Sequence, residues 1–409
     1  MTNGKIDKVF VQDFNLPDAK KSYLSIDADL RNGQADNFTG SKLNDNSGEL
    51  VIDKIVIIKD LRNLEKKVSI QIADDDKLKG ALRLNNAVEE ILGPVFTYFV
   101  RYKNGRLEFE HAFDFNPSVF IAPITLQTGG YLGQLHSYRQ AFGIIDRALT
   151  QEGVKGLWVN PYAYNEDIRL NKKLTVSNTA YGAYAGYNSA ASNIGKGISG
   201  VFSVYGAYNA SDQSYKGASI IQGGGLLGVS AVMFKEKFYT ALTANVGMIN
   251  EHGEGKYGKD NFMMYTKGAA LKTGYNFALD GDDKFVLQPS LNLSCSVVDV
   301  APYKNTAGVK VNVGRFNPFH IEPGLKLAAG LDGDLMLFVN LSGVWSLAGD
   351  TNCRADGIKL PEMSVDSYVR YEAGIEKAFS ETFSAGAGVY GVSLGRKGAG
   401  GQISMRWKF

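Results

Sequence analysis

The chain has 409 residues, 44% hydrophobic and 21% charged, with 47 Gly, 10 Pro, 22 Phe, 21 Tyr and a formal net charge of +2. So small a basic excess excludes a nucleic-acid binder that works by neutralising phosphates, and two cysteines cannot staple so long a chain. A mean hydropathy of -0.15, with no apolar run of the roughly 18 residues a spanning helix needs, excludes a helical membrane protein but not a membrane β-barrel, whose strands are apolar only at alternate positions.

Residues 1–113 read as short strands, among them Lys8 to Val11, Ser22 to Leu30, Glu49 to Ile58, Val68 to Ile72 and Thr97 to Tyr102. Gly, Asn and Asp turns such as Asn104-Gly105 separate them. Strand follows strand, so this part is expected to be all-β, either a β-solenoid-like end or a sandwich; no repeat period decides between them. The first residues, MTNGKIDKVFVQDF, lack the apolar core of a secretory signal.

Residues 114–130 read as a linker carrying Pro117, Pro123 and Gly129-Gly130. From Tyr131 to Thr150 the apolar positions Leu132, Leu135, Tyr138, Phe142, Ile145 and Leu149 recur every three or four residues, one stripe on a helix that Gly153 ends. At about 1.5 Å per residue this helix reaches about 30 Å, the thickness of a bilayer's hydrocarbon core. It is either a connector packed on a neighbouring domain or a pore helix.

From Lys155 to Phe409 the period becomes two. Phe285, Leu287, Pro289, Leu291, Leu293, Cys295 and Val297 alternate with Gln288, Ser290, Asn292, Ser294 and Ser296. Leu335 to Leu347, Phe238 to Asn250 and the C-terminal Gln402 to Phe409 repeat the pattern. A soluble sandwich also alternates, but these segments are long enough to cross a bilayer, and their polar face is rich in small Gly, Ser, Asn and Thr. Aromatics near segment ends, namely Trp158, Tyr162, Tyr181, Tyr187, Trp345, Trp407 and Phe409, are placed as interfacial girdles.

About twelve strands are predicted: 155–165, 174–189, 199–210, 218–234, 237–250, 261–278, 284–299, 308–330, 334–348, 364–378, 382–394 and 400–409. Tight connections at 235–236, 280–283, 332–333 and 380–381 alternate with long ones at 251–260, 300–307 and 349–363; the longish turn at 190–198 breaks the rule. The expected fold is therefore all-β, an antiparallel transmembrane β-barrel of about twelve strands preceded by a helix of bilayer length, which the resemblance given next makes a pore helix, and a β-solenoid-like end. The domains divide as 1–113, 114–154 and 155–409.

These residues resemble the autotransporters, type V secretion proteins that carry their own outer-membrane translocator. Asn116-Pro117-Ser118-Val119-Phe120-Ile121-Ala122-Pro123 with Gln127-Thr128-Gly129-Gly130-Tyr131-Leu132 is similar to the linker and helix that precede such barrels. Trp158 to Tyr162 looks like a first barrel strand, and Ser404 to Phe409 like a last one. The resemblance implies a barrel that anchors and exports its own N-terminal passenger, partnered by outer-membrane lipid, the barrel assembly machinery and the passenger segment, and monomeric. It makes Trp407 and Phe409 the assembly signal and the 131–150 helix the plug. No Asn-Asn pair stands between residues 114 and 154, the only one being Asn85-Asn86, which predicts an uncleaved, surface-tethered passenger. The missing signal and the short β segment predict that the sequence begins inside a longer product or at a late Met. The alternative, a surface adhesin or binding module of soluble β domains, stays open.

No enzyme, cofactor or metal is expected. Gly253 to Gly258 matches GxGxxG, but a strand rather than the helix of a dinucleotide site follows it. His111, His136, His252 and His320 have no ligand spacing. Cys295 is placed on a lipid-facing strand and Cys353 in a loop, unbonded to each other, and Asp74-Asp75-Asp76 in a solvated turn. Arg139, Asp146 and Arg147 on the helix are placed in solvent or against lumen charges such as Arg406.

Overall fold

A computed structural model describes residues 2–11, 20–40, 48–61, 67–147, 155–171, 174–255, 258–281, 284–331, 334–348 and 351–409. The chain forms two compact units, one built mainly of residues 1–119 and the other mainly of residues 120–409.

In the first unit, Lys21–Asp29, Glu49–Lys59 and Leu82–Leu84 pair in parallel, with Lys21 opposite Glu49 and Leu50 opposite Leu82. Each pass of the chain thus lays its strand beside the previous one, the stacking a solenoid uses. Ile26, Leu50, Ile52 and Leu82 are buried between the passes. A second, antiparallel sheet joins Val68–Gln71, Arg106–Phe115, Phe96–Lys103 and Glu89–Leu92. Its central hairpin turns at Asn104-Gly105, both at positive φ, as the two-residue turn that matches strand twist demands. Asp74 to Asp76 are not a plain turn: Asp75 caps the short helix Asp76–Ala81 by accepting from the Lys77 and Leu78 amides.

The second unit is a closed antiparallel barrel of twelve strands: β1 Gly156–Leu170, β2 Leu174–Asn188, β3 Ile198–Tyr215, β4 Ala218–Lys235, β5 Phe238–Gly255, β6 Gly258–Tyr275, β7 Phe285–Val300, β8 Phe319–Leu331, β9 Leu335–Ala348, β10 Tyr368–Ala378, β11 Phe383–Leu394 and β12 Arg396–Trp407. Each strand pairs with the next, and β12 returns to β1, from Leu157 opposite Trp407 to Ile168 opposite Arg396. Closure leaves the barrel wall no unpaired strand edge.

Alternation sorts the wall as the composition requires. On β7 the side chains of Gln288, Asn292, Ser294 and Ser296 are buried inside, while Phe285 and Leu291 face outward. Leu337, Val339 and Leu341 on β9 and Ile403 on β12 also face outward. Exposed Phe238, Tyr275, Phe285, Phe379, Trp407 and Phe409 ring the end where β1 starts, and Tyr208, Tyr265, Trp345 and Tyr371 lie toward the other. Trp158 and Tyr162 depart from the girdle expectation: they are buried, Trp158 donating to Asn188 Oδ1 at 3.1 Å and Tyr162 to Asn209 Oδ1 at 2.6 Å. Side-chain parity on β1 sets both on the inner face, a constraint that position near a strand end does not reveal.

The connections differ from expectation at several places. The segment 251–260 is no long loop, because β5 and β6 stay paired as far as Gly255 opposite Gly258. Polar residues near a strand end had looked like loop, yet they continue the ladder. The strand predicted at 308–330 begins only at Phe319 and that at 364–378 only at Tyr368, while β12 starts earlier than predicted, at Arg396. Two long loops, between β7 and β8 and between β9 and β10, therefore mark one end of the barrel.

Candidate functional site: a helix threaded through the lumen

The helix begins well before Tyr131. A tight turn at Pro117–Phe120 leads without interruption into helical Ile121–Thr125, a wide-turn stretch Leu126–Leu132 and then Gly133–Arg147. The linker expected at 114–130 is thus mostly helix, and its prolines fit. Pro117 opens the first turn, and Pro123 falls in the first turn of the next segment, where an N–H would have no partner four residues back within that segment. The two glycines are needed for passage along the wall. A Cβ on Gly129 would collide with Gln222 Oε1, and one on Gly130 would stand 2.9 Å from Val298 Cγ1.

Polar side chains around the helix bond to the wall. Thr128 Oγ1 donates to Gln213 Oε1 on β3 at 3.0 Å, and Gln127 Nε2 to the Met363 carbonyl in the β9–β10 loop at 2.7 Å. One to three turns further, Gln134 donates to Thr266 on β6 at 2.6 Å, Ser137 accepts from Asn245 on β5 at 2.9 Å, and Tyr138 donates to the Cys295 carbonyl on β7 at 3.2 Å. Gln140 bridges the closing seam, donating to Gln402 Oε1 on β12 at 2.6 Å and accepting from Asn160 on β1 at 3.1 Å. Partners on so many strands place the helix inside the barrel. The order of the contacts runs it from the long-loop end to the end where β1 starts.

Burial corrects the one-stripe reading. Leu132, Leu135, Tyr138 and Phe142 are buried, but so are Gln127, Thr128, Gln134, His136, Ser137 and Gln140. A wall of Ser, Asn, Gln and Thr offers partners on every side, so the polar helix faces can be buried as well as the apolar ones. Arg139 is not left to solvent. Its guanidinium grips Glu322 on β8, Nε to Oε1 at 3.1 Å and Nη2 to Oε2 at 3.1 Å, and Nη2 also reaches the Tyr368 hydroxyl at 3.0 Å. The backbone of Ile145, Asp146 and Arg147 is helical, while their side chains, and all of Leu149, lie outside the described residues.

Beside the helix remains a cavity of ≈ 80 Å³ lined by Arg139, Lys272, Asn292, Lys326 and Arg370 among others. Such a volume holds a few waters and no polypeptide. A second buried ion pair, Arg396 Nε to Glu166 Oε2 at 2.7 Å, ties β12 to β1. Glu322, Tyr368, Gln402 and the Glu166–Arg396 pair escape the sequence reading; the available signal was their place on the polar face of alternating strands. At the last strand's outer surface Trp407 packs on Phe383 at 5.5 Å between ring centres, and Phe409 stacks on Tyr187 at 6.1 Å. Neither of these outward rings reaches the lumen. Cys295 faces outward and Cys353 is buried in the β9–β10 loop, both free.

The family pattern described as autotransporter beta-domain matches residues 157–390. Among solved structures, the transport unit of the autotransporter AIDA-I from Escherichia coli aligns with a TM-score of 0.53 at 10% identity over 62% of this chain and 90% of that one. The translocator domain of the autotransporter NalP from Neisseria meningitidis gives 0.51 at 13% identity over 70% and 99%. The beta domain of the Bordetella autotransporter Brka gives 0.50 at 14% identity over 62% and 99%. At such identities the likeness concerns the fold. No curated protein matches the chain.

Proposed function

Since the chain belongs to the autotransporter family, an outer-membrane translocator family, we propose that its barrel exports and then anchors its own β-rich segment, residues 1–113, at the cell surface. On this reading 114–154 is the connecting segment and pore helix, and 155–409 the translocator. The observation that carries it is the direction of the helix through the lumen, from the long-loop end to the start of β1. A chain whose upstream part had crossed the barrel would leave its last segment in this position. Leu132, Leu135, Tyr138, Arg139, Phe142, Ile145, Asp146, Arg147 and Leu149 then form the seal of a spent pore. Trp407 and Phe409 are the signal read by the barrel assembly machinery.

We further infer a monomeric barrel, a passenger that stays attached and no catalytic role. An epitope placed in the Asn104-Gly105 turn tests the reading. It should be labelled by antibody on intact cells and removed by external protease, with the barrel kept in the outer-membrane fraction. A protein found in the soluble periplasm, without heat-modifiable gel mobility, would favour a soluble β-domain adhesin instead.

A further inference from the structure

At the long-loop end, the lumen holds two carboxylates that the helix seal does not use. Glu251 on β5 is 3% exposed and Asp260 on β6 is 2% exposed. Gly253, two residues along from Glu251, stands directly across from Asp260. The Glu251 side chain leans toward that point, its Oε1 lying 2.7 Å from where a Cβ on Gly253 would be. Ile121 at the start of the helix covers the same point, its Cγ2 also 2.7 Å from it. Tyr303, in the β7–β8 loop, donates its hydroxyl to Asp260 Oδ2 at 3.1 Å.

Tyr303 occupies one oxygen of Asp260, while Glu251 is left over. Among the described residues, both carboxylate oxygens of Glu251 are buried without a hydrogen-bond partner; Gln222, opposite Glu251 on β4, does not supply one, its amide lying against Thr128 and Gly129 of the helix. A buried carboxylate with neither hydrogen bond nor counter-charge is costly, and each such atom calls for an ion, a water or a proton.

We propose that Glu251 and Asp260 bind one divalent cation, Ca²⁺ by preference, beneath the start of the helix. The donors are carboxylate oxygens, the kind that hard cations take and that Zn²⁺, with its taste for imidazole and thiolate, does not favour. Two carboxylates balance the charge of such an ion. Among the described residues no group of three or more acidic, His or Cys side chains is placed to hold a metal, so water completes the shell. Ca²⁺ accepts such irregular shells, whereas Mg²⁺ demands near-octahedral geometry and gives up its own waters reluctantly. The bound ion would pin β5 and β6 together under Ile121 and so hold the mouth of the lumen closed around the helix.

Calorimetric titration of the full chain in detergent micelles, first stripped with EDTA, tests this with Ca²⁺ alone. One site per chain is expected. Glu251→Gln and Asp260→Asn should each weaken it at least about tenfold, since affinity at such sites follows the number of charged ligands. The exposed Glu254→Gln should bind as the parent does. Heat-modifiable mobility shows that the variants remain folded barrels. Absence of calcium binding by the folded parent, as a carboxyl pair holding a proton instead of a metal would give, overturns the proposal. Binding undiminished in folded Glu251→Gln does so as well.

Discussion

Arg139 on the lumen helix and Glu322 on β8 form a forked ion pair in which the two side chains are 14% and 8% exposed. Tyr368 supports the guanidinium from β10 at 3.0 Å. Charged groups this far from bulk water are held by each other, so removing one strands the other. Glu322→Gln or Arg139→Met should therefore destabilise the folded barrel by about 3–5 kcal/mol, while the double apolar replacement Arg139→Met with Glu322→Leu recovers most of the loss. The temperature at which the heat-modified gel form appears measures both. Equal losses in single and double variants would mean that the pair is not what holds the helix.

Leu291 and Leu337 face outward on β7 and β9. Lysine at either position should cost about 2–4 kcal/mol if the residue lies near the bilayer midplane. The inward neighbour Asn292 should tolerate lysine better, because it faces the polar lumen. Unfolding in lipid vesicles against denaturant compares the three variants. A lysine tolerated at Leu337 but not at Asn292 would turn the wall inside out.

Phe409 is 63% exposed and stacks only on the outer surface, against Tyr187. Its deletion removes little packing, so the stability of barrels already assembled should change by well under 1 kcal/mol, in the range of surface substitutions. The yield of inserted barrel in cells should fall sharply. Unchanged insertion with lowered stability would reverse the proposed role from signal to structure.

Asp60, in the first unit, is 2% exposed and accepts from the Val95 amide at 2.7 Å and the Tyr98 hydroxyl at 3.0 Å. Burial pushes its carboxyl up to about 6 from the usual 3.8, hydrogen bonds from Val95, Tyr98 and Phe96 pulling the other way. Because the folded value is raised, the contribution to stability is complete below about pH 4 and is lost as the pH rises through 6. The loss amounts to roughly 3 kcal/mol at most. Hydrogen exchange of the segment around Val95 and Tyr98, corrected for intrinsic rates, should show more protection at pH 4.5 than at pH 7, with the difference abolished in Asp60→Asn. Equal protection at both values in the parent would refute it.

Much of the architecture could be read in advance because it rests on local rules. Alternation from Phe285 to Val297 or from Leu335 to Leu347 assigns each residue to one wall of the sheet without any knowledge of its neighbours. Aromatic position near a strand end proved weaker: Trp407 and Trp345 face outward, but Trp158 and Tyr162 face in, since parity and not position decides the side. Pro117, Pro123 and Gly129-Gly130 read as linker because helix rules assume a helix in water. Inside a barrel, the same glycines are what lets the backbone pass Gln222 and Val298.

The sequence by itself determined a twelve-stranded barrel, its inner and outer faces, and a helix of spanning length ahead of the first strand, since periodicities of two and of three to four are properties of neighbouring residues. Only the tertiary structure decided that Arg139 meets Glu322, that Gln140 closes on Gln402 and Asn160, and that Glu251 leans over Gly253 toward Asp260. These contacts join residues far apart in the chain. Ring closure and the passage of the helix through the ring bring them together, and no local pattern records which turn of a helix comes to lie against which strand.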